Sequence, residues 1–376
     1  MERDPSQSQK LLEMVAVSGE YSVKSTERLI PKEAYRKRLI STLSTSKHLN
    51  IIYKHQFKGY RLTSKAKKIL LEENRERFES YLEGTVETNQ VRYDLTRRKR
   101  LQNIGDVLTT MYLCGFEIYK DRKQDVFSQS SQSLADERSQ PLKIGNPMFY
   151  LSREIKGTDQ KWTTIRGSSS AGTLLGTEGM WVVYNTGEAQ VEWRKKIELR
   201  TMASIQNYLL VENPMPQYKG MKVNGLMFGS DLEVLERYLT EQGNKQNGLN
   251  FLTTSYPSFY YIPSTTQGEL QLKLLTDPLR WKAVRDSLLV GTKQIPQHYL
   301  IECDALTEDD KPILNCCLLD IPRLVKFQSG LNLRDKYGLV YCFDYQSEFI
   351  RRYLGERVEI KEVNHDKLKA KLYPNC

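Results

Sequence analysis

Near the start of the chain, apolar residues recur at helical spacing in three short runs. Leu11, Leu12 and Val15 predict a helix over 8–17. A second helix is predicted over 23–30, with Ser22 as its N-cap and Ser25 as a competing cap. Pro31 suits the first turn of a third helix, where a missing N–H costs nothing. Tyr35, Leu39 and Leu43 follow at four-residue spacing and are expected to form its buried stripe. That places Lys32, Arg36, Lys37 and Ser41 on or near the outer face. The pattern then changes to short β-rich runs at 51–53 and 60–62. A hairpin tip is expected at Lys58 and Gly59, with the glycine supplying the turn. Thr63 or Ser64 caps a fourth helix that is predicted to reach Leu82.

Two short helices, a basic third helix and a hairpin, in that order, spell a winged helix-turn-helix. Such a domain is expected over 1–82, followed by a linker at 83–92. Residues 93–113 form an amphipathic helix pattern whose first turn carries Arg97, Arg98, Lys99 and Arg100. Residues 116–119 read as a strand. The polar, Ser/Gln-rich stretch 122–145 reads as an exposed loop. From Pro147 onward strands and helices alternate, which predicts a larger α/β domain over 93–376 with a mixed sheet. Within it, 148–151 is expected to extend as a strand toward 154–156. Residues 179–193 are expected as a hairpin about Asn185, Thr186 and Gly187. Further helices are predicted at 196–210, 231–242, 278–289, 323–329 and 347–354. Strands are predicted at 225–228, 251–261, 298–302, 313–319, 338–343 and 357–361.

Charge sharpens the first part of this picture. The formal net charge is +10 over 376 residues. Residues 1–80 hold 17 Lys and Arg against 10 Asp and Glu, so +7 of that excess falls in about a fifth of the chain. A concentrated basic balance favours a polyanionic partner. Long donors on one exposed helix face suit major-groove entry, which points to Lys32, Arg36, Lys37 and Ser41. On the hairpin, Lys54, His55, Lys58 and Arg61 suit phosphate or minor-groove contact, and Arg28 could touch the flanking backbone. The 22 tyrosines against 11 phenylalanines fit the same use, since a phenol can pack and also bond a phosphate. The start of the chain is polar with no secretory pattern, and no apolar run is long enough to span a membrane. The cysteines Cys114, Cys303, Cys316, Cys317, Cys342 and Cys376 lack zinc-type spacing, so buried thiols in a cytoplasmic protein are expected.

A DNA reader beside an α/β sheet raises the question of cleavage. A restriction-endonuclease core needs Asp and Glu-x-Lys on adjacent strands to hold Mg²⁺ and orient a water. Glu154-Ile-Lys156 and Glu359-Ile-Lys361 fit Glu-x-Lys, at about the frequency chance allows. Asp344 precedes Glu359 with a helix between them, and Glu154 has no strand-borne Asp upstream. Glu198 falls at a strand-to-helix passage where such cores place a carboxylate. The Gly/Ser stretch 167–172 lacks the Lys and the preceding strand of a phosphate loop and reads as a flexible loop. Glu302, Asp304 and Asp320 are acidic groups at strand ends and read as structural. No catalytic set, metal site or cofactor is expected.

The N-terminal winged helix, the run Val183-Tyr-Asn-Thr-Gly187 with Trp193 through Glu198, and the closing Val340-Tyr-Cys-Phe-Asp-Tyr-Gln346 together resemble a known family. These are the replication-relaxation proteins of plasmids and integrative conjugative elements in Gram-positive bacteria. The resemblance implies a cytoplasmic, sequence-specific duplex-DNA-binding protein serving replication, relaxosome processing or transfer of a mobile element. Some relatives look like degenerate restriction-endonuclease cores. Here Tyr184 and Asn185 stand where an Asp would pair with Glu198, which counts against metal-dependent cleavage. The expected partners are duplex DNA, a second copy of the chain, and relaxosome or replication proteins, with no membrane. A Mg²⁺-dependent nuclease and a transcription regulator with a ligand-sensing α/β domain remain as alternatives.

Overall fold

The computed structural model describes residues 6–54, 56–91, 93–127, 144–158, 162, 165, 167–188, 193–212, 214–240, 250–251 and 253–374. The chain divides into two compact units, Met1–Asp125 and Val126–Cys376. No helix among the described residues is long and apolar enough to cross a membrane.

The first unit opens with α1 (Gln7–Ser18), whose N-terminal amides are capped by the Ser6 hydroxyl accepting from Gln9 N. It ends at Gly19, whose φ of +83° favours a residue without Cβ. The two-residue β1 (Tyr21–Ser22) leads into α2 (Val23–Leu29), and the Ser22 hydroxyl accepts from Ser25 N at 2.8 Å. Then come α3 (Glu33–Thr45), β2 (Leu49–Lys54) and β3 (Phe57–Leu62). Pro31 lies before α3 rather than in its first turn. The strands form an antiparallel sheet in the order β1-β3-β2. The helix predicted from 63 to 82 is two helices, α4 (Ser64–Glu73) and α5 (Arg75–Leu82). Asn74 divides them: its side chain caps α5 by accepting from Arg77 N and also donates to Asp121.

The boundary expected at 82–93 falls elsewhere, because α6 (Leu95–Leu113) belongs to the first unit. Its apolar face, Leu101, Val107, Leu108 and Met111, is almost completely buried. Burying side chains of this size contributes about 1.5–3 kcal/mol each. Gly105 lets α6 approach the Tyr21 ring, to which an added Cβ would come within 3.0 Å. From the same helix Asp106 accepts from the Ser22 and Ser25 hydroxyls and so fixes the start of α2. Residues 83–91 are stitched in as well, with Lys67 Nζ bonding Asn89 O and Thr88 Oγ1 bonding Tyr81 O. The predicted strand at 116–119 is irregular chain with Phe116, Ile118 and Tyr119 buried.

The second unit is α/β with two mixed sheets. One has the order β4 (Met148–Leu151), β5 (Ser170–Leu175), β6 (Met180–Gly187), β7 (Asn224–Gly229), β8 (Phe259–Pro263). Its first three strands are antiparallel and its last three parallel. β6 and β7 are buried almost throughout, as strands covered on both faces must be. The other sheet has the order β12 (Val358–Val363), β11 (Gly338–Phe343), β10 (Pro312–Asn315), β9 (Ala305–Leu306), with β10, β11 and β12 parallel.

Several expected elements differ here. The hairpin lies at 170–187, closed by Gly176 N donating to Gly179 O, and not about Asn185–Gly187. β6 is paired on both sides, antiparallel with β5 before it and parallel with β7 after it. Residues 152–158 are a helix, so Glu154 and Lys156 are not strand-borne. Residues 298–302 are irregular, and the helices Thr266–Thr276 and His365–Leu372 were not foreseen. Of the stretch 122–145, residues 128–143 lie outside the described residues.

Candidate nucleic-acid interface

α3 is the least buried helix of the first unit. Leu43 alone of its residues is buried, with Arg36, Leu39 and Ile40 half-buried on the same side. At 100° per residue that phase turns Ala34, Lys37, Arg38, Ser41 and Thr45 directly outward, and all are exposed. Tyr35, expected in the buried stripe, is 42% exposed. It lies about a quarter-turn off the side that Leu43 defines.

The shift of phase redistributes the candidate residues. Lys32, Lys37 and Ser41 are exposed, and Lys37 forms an ion pair with Glu33 at 2.7 Å. Arg36 is not on the outer face. Its guanidinium donates to Ile30 O at 2.9 Å and to Glu27 Oε1 at 3.2 Å, closing the C-terminal end of α2. Arg28 is half-buried and donates to Thr110 Oγ1 on α6 at 2.9 Å. Arg38, not among the expected contacts, is exposed on the outward side.

The hairpin also differs in detail. β2 and β3 pair in register from Leu49 with Leu62 to Lys54 with Phe57, so the chain reverses between Lys54 and Phe57 and not at Lys58–Gly59. Gln56 takes the positive φ of +59° there, and His55 lies outside the described residues. Gly59 stands within β3 for another reason: a Cβ would fall 2.2 Å from Glu20 Oε1 and 2.4 Å from Gln102 Nε2. The space is needed by a buried ionic cluster. Glu20, fully buried, accepts from Arg61 Nε at 3.0 Å, Arg98 Nε at 2.9 Å and Gln102 Nε2 at 2.8 Å. Arg61 is 3% exposed and Arg98 is fully buried. Neither reaches the surface, which overturns Arg61 as a hairpin contact and sets Arg98 apart from the exposed Arg97, Lys99 and Arg100 beside it.

Arg98 reaches further. Its guanidinium donates to the carbonyls of Lys54 at 3.3 Å, Ile52 at 3.1 Å and Phe57 at 3.1 Å, and Gln102 donates to Lys58 O at 3.1 Å. A buried charge is tolerable only when paired and fully hydrogen-bonded, and this one is held by a carboxylate and three carbonyls. The result is a hairpin clamped from beneath by α6. Around it Lys54, Lys58, Arg97, Lys99 and Arg100 are exposed, with Arg100 paired to Glu87 at 2.9 Å.

In the second unit most of the candidate carboxylates are engaged internally. Glu154 accepts from Leu151 N at 2.7 Å, and burial pushes its carboxyl up to about 8. Glu198 is fully buried and accepts from Ser168 Oγ at 2.6 Å and Ser169 N at 2.8 Å. The Gly/Ser stretch expected as a flexible loop is therefore tied to Glu198 and enters β5. Asp304 and Glu302 both bind the Arg323 guanidinium at 2.9 Å, and Asp320 accepts from Phe259 N with its carboxyl raised by burial to about 6. Glu359 and Lys361 are exposed on β12, while Asp344 accepts from Asn364 Nδ2 and His365 N. Among the described residues, no group of three or more His, Cys, Asp or Glu is placed to hold a metal ion. Cys114, Cys303, Cys316, Cys317 and Cys342 are buried.

Compared with protein-family models, curated proteins and solved structures, the chain matches none.

The first unit thus presents two adjacent kinds of surface. One is a helix face of short hydroxyl side chains around Lys37 and Arg38. The other is a rigid hairpin bordered by cations. Hydroxyls and guanidinium groups can address base edges, and ammonium groups can address phosphates.

Proposed function

We propose that the first unit is a winged helix that binds duplex DNA, with α3 in the major groove and the β2–β3 hairpin as the wing. The element order α1-β1-α2-α3-β2-β3 and the sheet order β1-β3-β2 support the reading. One observation carries it: α3 keeps its outer side bare, with Lys37, Arg38, Ser41, Thr42 and Thr45 exposed and only Leu43 buried. A helix earns little stability from such an arrangement and is available to a groove. Arg38 takes the base-reading role first expected of Arg36. Lys32, Lys37, Lys54 and Lys58 serve as phosphate contacts.

On the resemblance to replication-relaxation proteins, the binding serves replication, relaxosome assembly or transfer of a mobile element. Two copies on paired half-sites would multiply a weak single contact. The test is anisotropy titration of the full chain on labelled mixed-sequence and selected duplexes over a salt series. K37A/R38A is expected to weaken binding at least tenfold and flatten the salt dependence. Unchanged affinity in that variant would remove α3 from the interface.

A further inference from the structure

The face of the hairpin that continues from the core carries apolar side chains into solvent. Leu49, Ile51 and Tyr53 alternate along one face of β2. Leu49 is buried, yet Ile51 is 44% and Tyr53 68% exposed, because the hairpin projects past the core. Their cross-strand partners are Tyr60 and Lys58. Tyr60, at the root of this face, is buried, and the charges of Arg36 and Glu27 act on its hydroxyl. The face therefore adjoins the junction of α2 and α3, on the side of the hairpin where α3 lies. One cation shares it: Lys58 stands opposite Tyr53, with its Nζ 5.8 Å from the Tyr60 ring, while Lys54 and Phe57 alternate to the other face beside Lys99 of α6. Arg98 and Gln102 fix the strands from the other face through the carbonyls of Ile52, Lys54, Phe57 and Lys58.

An exposed aromatic on a fixed strand, with the Lys58 ammonium directly across from it, suits a nucleobase better than a phosphate. Aromatic side chains stack on base faces while cations follow the backbone. In an intact duplex those faces are covered by neighbouring pairs. We infer that the hairpin is a stacking platform for unpaired bases, with Tyr53 at its centre, so that the preferred ligand is duplex DNA continuing into a single-stranded tail. This rests on the reading that α3 grips the adjoining duplex.

Anisotropy titrations of the full chain would compare a blunt duplex, the same duplex with an oligothymidine tail at either end, and the tail alone. The wild-type protein is expected to bind one tailed duplex on the order of tenfold more tightly than the blunt one, the effect of about one stacked base. Y53A should abolish that increment and leave blunt-duplex affinity and thermal midpoint unchanged, while Y53W should retain it. Equal wild-type affinity for tailed and blunt duplexes overturns the platform. So does a Y53A loss that is equal on both, which would instead place Tyr53 in a minor groove. If the blunt duplex is not bound at all, the α3 reading fails, and the tail alone then decides the platform. Binding of the tail sensitive to Y53A sustains the platform, and its absence ends it.

Discussion

The outer side of α3 and the surroundings of Glu198 are both polar regions on ordered scaffolds, but they use their polar groups in opposite ways. Around Glu198 each carboxylate oxygen accepts from a neighbour in the same unit, Ser168 Oγ on one and Ser169 N on the other. On α3 the hydroxyls of Ser41 and Thr45 and the guanidinium of Arg38 stand in solvent. A buried polar group without a partner costs roughly 1–3 kcal/mol, so a core must close its polar groups among themselves. A binding face has no such constraint, since water holds its groups until a ligand replaces it. The same contrast separates Arg36 from Arg38, two residues apart. One closes the end of α2 and the other faces out.

The comparison can be broken most forcefully at the buried clamp. Glu20→Ala leaves Arg61 and Arg98 buried without their carboxylate, and loss of about 3–5 kcal/mol from the first unit is expected in urea unfolding. A loss below about 1 kcal/mol would mean that the cluster is not the fixed base of the hairpin. A smaller effect is expected from Glu154, whose folded carboxyl is pushed up to about 8. Between the ordinary carboxylate range and about pH 8 the folded chain keeps a proton that the unfolded chain has released. Stability therefore falls as pH rises through that window. Glu154→Gln should remove this slope and raise stability at pH 8 by roughly 1–3 kcal/mol, measured by denaturant midpoints at pH 5 and pH 8. Parallel slopes in the two proteins would show that Glu154 ionises freely. The smallest effect is expected at Arg36→Ala, about 1 kcal/mol of stability from the lost closure of α2, read as a shift in thermal midpoint.

Much of the first unit was legible because its signals are local. Ser22 caps α2 and Thr63 caps α4, each by accepting from the amide three residues on. The extent of the unit was not legible. α6 follows a polar stretch that looks like a linker, and only the packed structure joins Arg98 to Glu20. A run of four basic residues gives no sign that its second member is fully buried while its neighbours are solvated. The hairpin tip was misplaced because glycine is the usual mark of a turn. Gly59 answers instead to the Glu20 carboxylate and Gln102, a requirement for space that no local pattern encodes. The α3 stripe was read from Tyr35, and a tyrosine at helical spacing marks a core no better than it marks an interface. In the second unit, alternation gave the α/β class. It missed the pairing of β5 with β6, because 167–175 is rich in Gly and Ser and its order comes from Glu198, distant in sequence.

The central claim is that the outward side of α3 meets DNA and its inward side does not. The most direct measurement is the duplex affinity of Arg38→Ala beside that of Arg36→Ala, by anisotropy with the full chain at one fixed salt concentration. Arg38→Ala is expected to weaken binding about tenfold, as loss of a base-reading contact does, while Arg36→Ala stays within about twofold of wild type. The reverse order, or equal affinity in all three proteins, would contradict the account.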